Sequence, residues 1–117
     1  MSNNEVSNLS LLNEQTDGDK EIMTILIDTF FIGIDEYIGN VENGLENNNL
    51  EMIHSAAHKM KPNITLFGIS SIIDDISKLN EYSRVEGNWD RITKLIPKIS
   101  NVLKEAKIEL EYKKENL

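Results

Sequence analysis

A chain of 117 residues is long enough for one compact domain and too short for two, and its 39% hydrophobic and 27% charged residues are ordinary for a globular fold. A formal charge of −8 excludes a general nucleic-acid binder and argues against an anionic membrane surface, since both need clustered Lys and Arg. With no cysteine there is no disulfide framework, thiolate nucleophile or cysteine-ligated metal.

The start, MSNNEVSNLS, has neither a basic n-region nor an apolar h-region, and the apolar runs at 22–27 and 30–34 are too short to span a bilayer. The expected compartment is the cytoplasm. Residues 1–8 are polar and expected to fray. Leu9, Leu11 and Leu12 suggest a short lead-in helix that docks on the body.

Asp17-Gly18-Asp19 reads as a helix start, with acidic groups suited to the positive end of the helix dipole. From it Ile22, Ile25, Leu26, Phe30 and Phe31 predict a broad buried stripe, and Gly33 marks a bend. A second stripe, Ile34, Ile38, Val41 and Leu45, steps by four, three and four. Asn47-Asn48-Asn49 is then a connection and cap.

Ile53, Ala57, Met60, Ile64 and Phe67 predict the buried face of the next helix. Ile69, Ile72, Ile73, Ile76 and Leu79 predict another, ending before Gly87-Asn88, where Asn88 is placed to cap the final helix. That helix carries Trp89, Ile92, Leu95, Ile96, Ile99, Val102, Leu103 and Ala106, with a bend expected at Pro97. No stretch sustains the alternation of a strand. Short connections between long amphipathic helices favour antiparallel neighbours, so the expectation is an all-α, up-and-down bundle over residues 9–113, with 114–117 frayed.

The chemistry concentrates in AHKMKPN, Ala57 to Asn63. On a helix over 50–67, residues three, four or seven from His58 share its face: Glu51, His54, Ser55, Lys61, Pro62 and Thr65. His58 is thus expected on the solvent side, with slim Ala56 and Ala57 in the turn before it. Near pH 7 a substantial fraction of an imidazole offers a lone pair, and Lys61 can neutralise an incoming phosphoryl group as a point charge. Lys59 adds a weaker attraction, or is simply a solvated helix residue. No other base, metal cage or Gly-rich phosphate loop is evident, so the helix looks like half of an active site, completed by another protein.

AHKMKPNITLFG resembles the signature of histidine-containing phosphotransfer domains, His-x-x-Lys-Gly followed by a second Gly ten positions after the His. His58, Lys61 and Gly68 fall on those positions, and the likeness extends over roughly residues 8–112. The resemblance implies an antiparallel four-helix bundle with a solvent-exposed phosphoacceptor, His58, and Lys61 to neutralise the phosphoryl charge. It further implies a phosphorelay intermediate without kinase activity, whose partners are a response-regulator receiver domain, a hybrid histidine kinase, or both. Mg²⁺ would be held by the receiver, and this chain, expected as a monomer, would need no cofactor or metal of its own. The docking surface would comprise His54, Ser55, Lys59, Pro62, Thr65 and Gly68.

Pro62 is a departure, because the family usually has Gly there, and its ring meets the carbonyl of His58 unless the helix bends. Three alternatives stand beside the relay: a bundle that docks a partner without accepting phosphate, a zinc site from His54, His58 and Glu51, and a true enzyme, disfavoured because no acid, base and nucleophile converge. Gly68 is either a helix terminator or a docking residue. Asn63 and Thr65 are either ordinary exposed residues or hydrogen-bonding groups near the phosphoryl site.

Overall fold

The computed structural model describes residues 5–117. Five α-helices follow one another: α1 (Ser10–Gln15), α2 (Lys20–Glu46), α3 (Leu50–Leu66), α4 (Ile73–Tyr82) and α5 (Trp89–Glu115), with a single 3₁₀ turn, Ser70–Ile72, leading into α4. There is no strand among the described residues. α2 packs on α3, α3 on α4 and α4 on α5, and α5 closes back on α2. The result is an up-and-down four-helix bundle with α1 as a lead-in.

Local chemistry sets the helix ends. Asp19 accepts from the amide of Ile22 at 3.1 Å to start α2, and Asn49 accepts from Met52 at 3.1 Å to start α3. Three helices end alike, with a left-handed residue just past the cap: Asp17 (φ 52°) after α1, Asn48 (φ 51°) after α2 and Gly68 (φ 63°) after α3. Each time the following amide reaches back to a carbonyl in the last turn: Gly18 to Asn13 at 2.9 Å, Asn49 to Gly44 at 2.8 Å and Ile69 to Ile64 at 3.0 Å. Asn88 occupies the position before α5, but its side-chain amide donates to the Tyr82 carbonyl rather than capping the helix.

The core is built from the expected faces of α3, α4 and α5, including Ile53, Ala57, Met60, Ile64, Ile76, Leu79, Ile92, Ile99 and Leu103. The stripe at the start of α2 is corrected by one position. Ile22 and Ile25 are exposed (45% and 57%), whereas Met23 and Ile27 are buried. Helical intervals counted toward the N-terminus from Phe30 and Ile34 land on Ile27 and Met23, which fixes the register. Phe30 stacks on Phe67 with ring centroids 4.1 Å apart, joining α2 to the end of α3. α2 runs unbroken through Gly33 and α5 through Pro97. α4 is shorter than its apolar pattern, because Ile69 to Ile72 belong to the turn before it.

Both chain ends depart from the expected fraying. Residues 1–4 lie outside the described residues, but 5–8 are tied down as a strap. The amides of Val6 and Ser7 donate to the Glu109 carboxylate at 2.8 and 2.7 Å, as does the Ser7 hydroxyl, and the Asn8 amide donates to the Phe67 carbonyl at 2.9 Å. Burial pushes the Glu109 carboxyl up, but those three hydrogen bonds and the charge of Lys113 outweigh it and hold the group below the usual carboxylate range. At the other end α5 continues to Glu115, and Lys114 bonds Asp28 of α2 at 2.8 Å. Glu109 holds the strap and Lys114 with Asp28 holds the other end, while Val6 and Leu117 pack against the core; polar contacts and single apolar residues leave no apolar periodicity in the sequence.

Candidate functional site

α3 presents the exposed face on which the site is built. His58, Lys59, Lys61, Pro62, Ser55 and Thr65 are all exposed there, above the buried Ala56, Ala57 and Met60. No hydrogen bond among the described residues reaches the His58 ring, which faces solvent. The ion pairs of the described residues involve Lys98, Lys107, Lys113 and Lys114, and neither Lys59 nor Lys61 is among them. Their charges are therefore not already neutralised by a carboxylate among the described residues.

α3 stays helical through Pro62. Proline has no amide hydrogen, so the carbonyl of His58 lacks its usual donor four residues on. Next to Pro62 a groove separates α3 from α1, lined by Leu11, Gln15, Lys61, Pro62, Thr65 and Leu66. On the other flank a groove between α2 and α3 is lined by Asn40, Glu51, Met52, Ser55 and Lys59. The exposed face of α3 is thus a ridge between two grooves.

Two expected docking residues sit differently. His54 is half-buried against α4: its Nδ1 lies 3.0 Å from the Asn80 carbonyl and 3.2 Å from Ser83 Oγ. Its ring is 6.3 Å from that of His58, at an interplanar angle of 21°. Gly68 lies past the end of α3 under the strap, where a Cβ would stand 2.6 Å from the Asn8 carbonyl oxygen. Glu51, His54 and His58 do not converge, and among the described residues no three His, Cys, Asp or Glu side chains group as a metal site requires.

Asn80 and Ser83, which orient His54, were not foreseen, and neither was the flank supplied by Leu11 and Gln15 of α1. The only sequence signal for Ser83 was its place just after the last apolar residue of α4. Nothing in the sequence pairs it with His54.

The crystal structure of histidine-containing phosphotransfer protein B (HptB) from Pseudomonas aeruginosa PAO1 is similar to this chain, with a TM-score of 0.85 over 98% of this chain and 99% of that one. The fold is that of a histidine-containing phosphotransfer protein. Sequence identity between the two is 16%. No family model matches the chain, and no curated protein does either. The likeness is therefore one of backbone fold rather than of sequence. No helix among the described residues is long and apolar enough to cross a membrane.

Proposed function

We propose that this chain is a phosphorelay intermediate that accepts a phosphoryl group on His58 from the aspartyl-phosphate of a receiver domain and passes it on. The observation that carries this reading is an exposed, unbonded imidazole, with a free lysine one turn away, on the α3 ridge of a phosphotransfer fold. A ring nitrogen of His58 attacks phosphorus in line. The bond from phosphorus to the acyl oxygen breaks, and the aspartate leaves as a carboxylate. Lys61 offsets charge on the phosphoryl oxygens, so positioning and electrostatics do most of what the step requires. Mg²⁺ belongs to the receiver's acidic residues.

Pro62 places an apolar ring beside the acceptor where the receiver approaches. Contact is transient, burying less than about 1,200 Å² in total, as in other signalling encounters. The protein acts as a carrier in solution rather than as a kinase.

The test is transfer of acid-labile, base-stable phosphate from labelled receiver domains in the presence of Mg²⁺. Incorporation at His58, mapped by peptide and lost from that position in His58→Gln, supports the relay. Receiver binding without incorporation at His58 replaces it with a docking module and makes Pro62 the first residue to change.

A further inference from the structure

The imidazole whose orientation is fixed by its neighbours in this protein is His54. Its Nδ1 lies 3.0 Å from the backbone carbonyl oxygen of Asn80. A carbonyl only accepts, so Nδ1 must carry the proton. The hydroxyl of Ser83 donates to the Leu79 carbonyl at 2.7 Å, which leaves its oxygen to accept from the same Nδ1–H at 3.2 Å. The tautomer is therefore set, and in the neutral ring the lone pair is on Nε2. His58 has no such partner.

The ring is reachable. His54 is half-buried rather than enclosed, and it lines an open groove of about 380 Å³ with Leu50, Glu51, Ser83, Arg84 and Glu86. That is ample for a phosphoryl group and a small donor. Arg84 is the cation at the groove. Glu51 and Glu86 oppose an anion there, which favours a small or partly neutralised donor.

We propose that His54 is a second phosphoryl acceptor, modified at Nε2 by a small acyl-phosphate or phosphoramidate donor. The Nε2 lone pair attacks phosphorus, and the bond to the leaving group breaks with its electron pair, releasing a carboxylate or an amine. The proton stays on Nδ1. The positive charge that develops on the ring is stabilised by the Asn80 carbonyl and Ser83 Oγ, as an acceptor behind an imidazole stabilises its charged form in other nucleophilic sites. This inference does not require the relay role of His58.

The experiment uses the full chain with phosphoramidate, mapping acid-labile phosphate by peptide mass in the wild type, His54→Gln, His58→Gln and the double variant. Phosphate at residue 54 in the wild type and in His58→Gln, absent from His54→Gln and the double variant, is the expected result. Ser83→Ala, which removes one acceptor behind Nδ1 but leaves the carbonyl, should slow labelling of residue 54 and leave that of residue 58 unchanged. Folding of each variant is checked by far-UV circular dichroism. No phosphate at residue 54 in folded His58→Gln overturns the proposal, whatever happens at His58. Failure of receivers to label His58 overturns the relay alone.

Discussion

Gly68→Ala tests whether the second glycine of the motif is there for packing or for a partner. Its φ of 63° lies in the left-handed region, where a side chain costs about 1–2 kcal/mol. An added Cβ would also lie 2.6 Å from the Asn8 carbonyl oxygen and 2.7 Å from Asn8 Cβ. These atoms are the backbone of Asn8 and the Cβ fixed to it, so no flexible side-chain tip can swing aside and the strap must lift. Lifting loses the bond from the Asn8 amide to the Phe67 carbonyl, worth about 1 kcal/mol net. The sum is about 2–3 kcal/mol, a large share of the roughly 5–15 kcal/mol that holds a domain of this kind together.

Urea denaturation followed by circular dichroism reads this directly, as a lower midpoint at an unchanged slope. Gly39, helical and with nothing within 4 Å of its added Cβ, is the control: Gly39→Ala should gain about 0.5–1 kcal/mol. At a temperature where Gly68→Ala remains folded, receiver-dependent labelling of His58 should match the wild type. A Gly68→Ala protein within about 0.5 kcal/mol of wild type, with weakened receiver binding, would refute the packing argument and return Gly68 to the docking surface.

Gly44 lets α2 pass close to α3, since an added Cβ would stand 2.6 Å from Ile53 Cγ1; Gly44→Ala should cost about 1–3 kcal/mol by overpacking, read from the same urea curves. The Tyr37 hydroxyl is buried without a hydrogen-bond partner among the described residues, so Tyr37→Phe should raise stability, by up to about 1 kcal/mol. Burial also pushes that phenol well above its ordinary 10.0. A group whose folded value is raised contributes its stability below the unfolded value, so stability falls as the pH rises past about 10, and Tyr37→Phe should blunt that alkaline loss in pH-dependent melting. Glu109 has the opposite sign: its folded value is lowered, so its contribution is full above the unfolded carboxylate range and is lost as the pH drops through the folded value. Hydrogen exchange at the Val6 and Ser7 amides should show protection fading over that acid window, and Glu109→Gln should weaken that protection at neutral pH.

Helical periodicity was enough to locate α3 and the exposed side that carries His58, because Ile53, Ala57, Met60 and Ile64 leave His58 only one side to face. The same rule misread the start of α2, where Ile22, Met23, Ile25, Leu26 and Ile27 are apolar on more than one face. There the register was settled by Phe30 and Ile34, further along the helix. The strap was illegible for another reason. Residues 5–8 hold one apolar residue, Val6, too little for a periodic signal, and the hydrogen bonds that order them go to a carboxylate 102 positions from Ser7. His54 falls between these cases: its helix and face followed from spacing, but its orientation depends on the backbone of α4, which no side-chain pattern encodes.

Lys113 of α5 meets Glu5 of the strap at 2.7 Å, and this gives the chain the connectivity of an almost closed loop. A short linker from Leu117 back to Glu5 would close that loop at little entropic cost. New ends could then be cut between Arg84 and Gly87, in the exposed connection from α4 to α5. Both helices would keep their seats through the buried Ile76, Leu79, Ile92 and Ile99, with the ion pair of Lys98 and Asp75 beside them, and the α3 ridge would be untouched. Such a permuted chain would carry its termini at the end of α4 and the start of α5, so that a fused protein would be attached away from the strap end of the bundle.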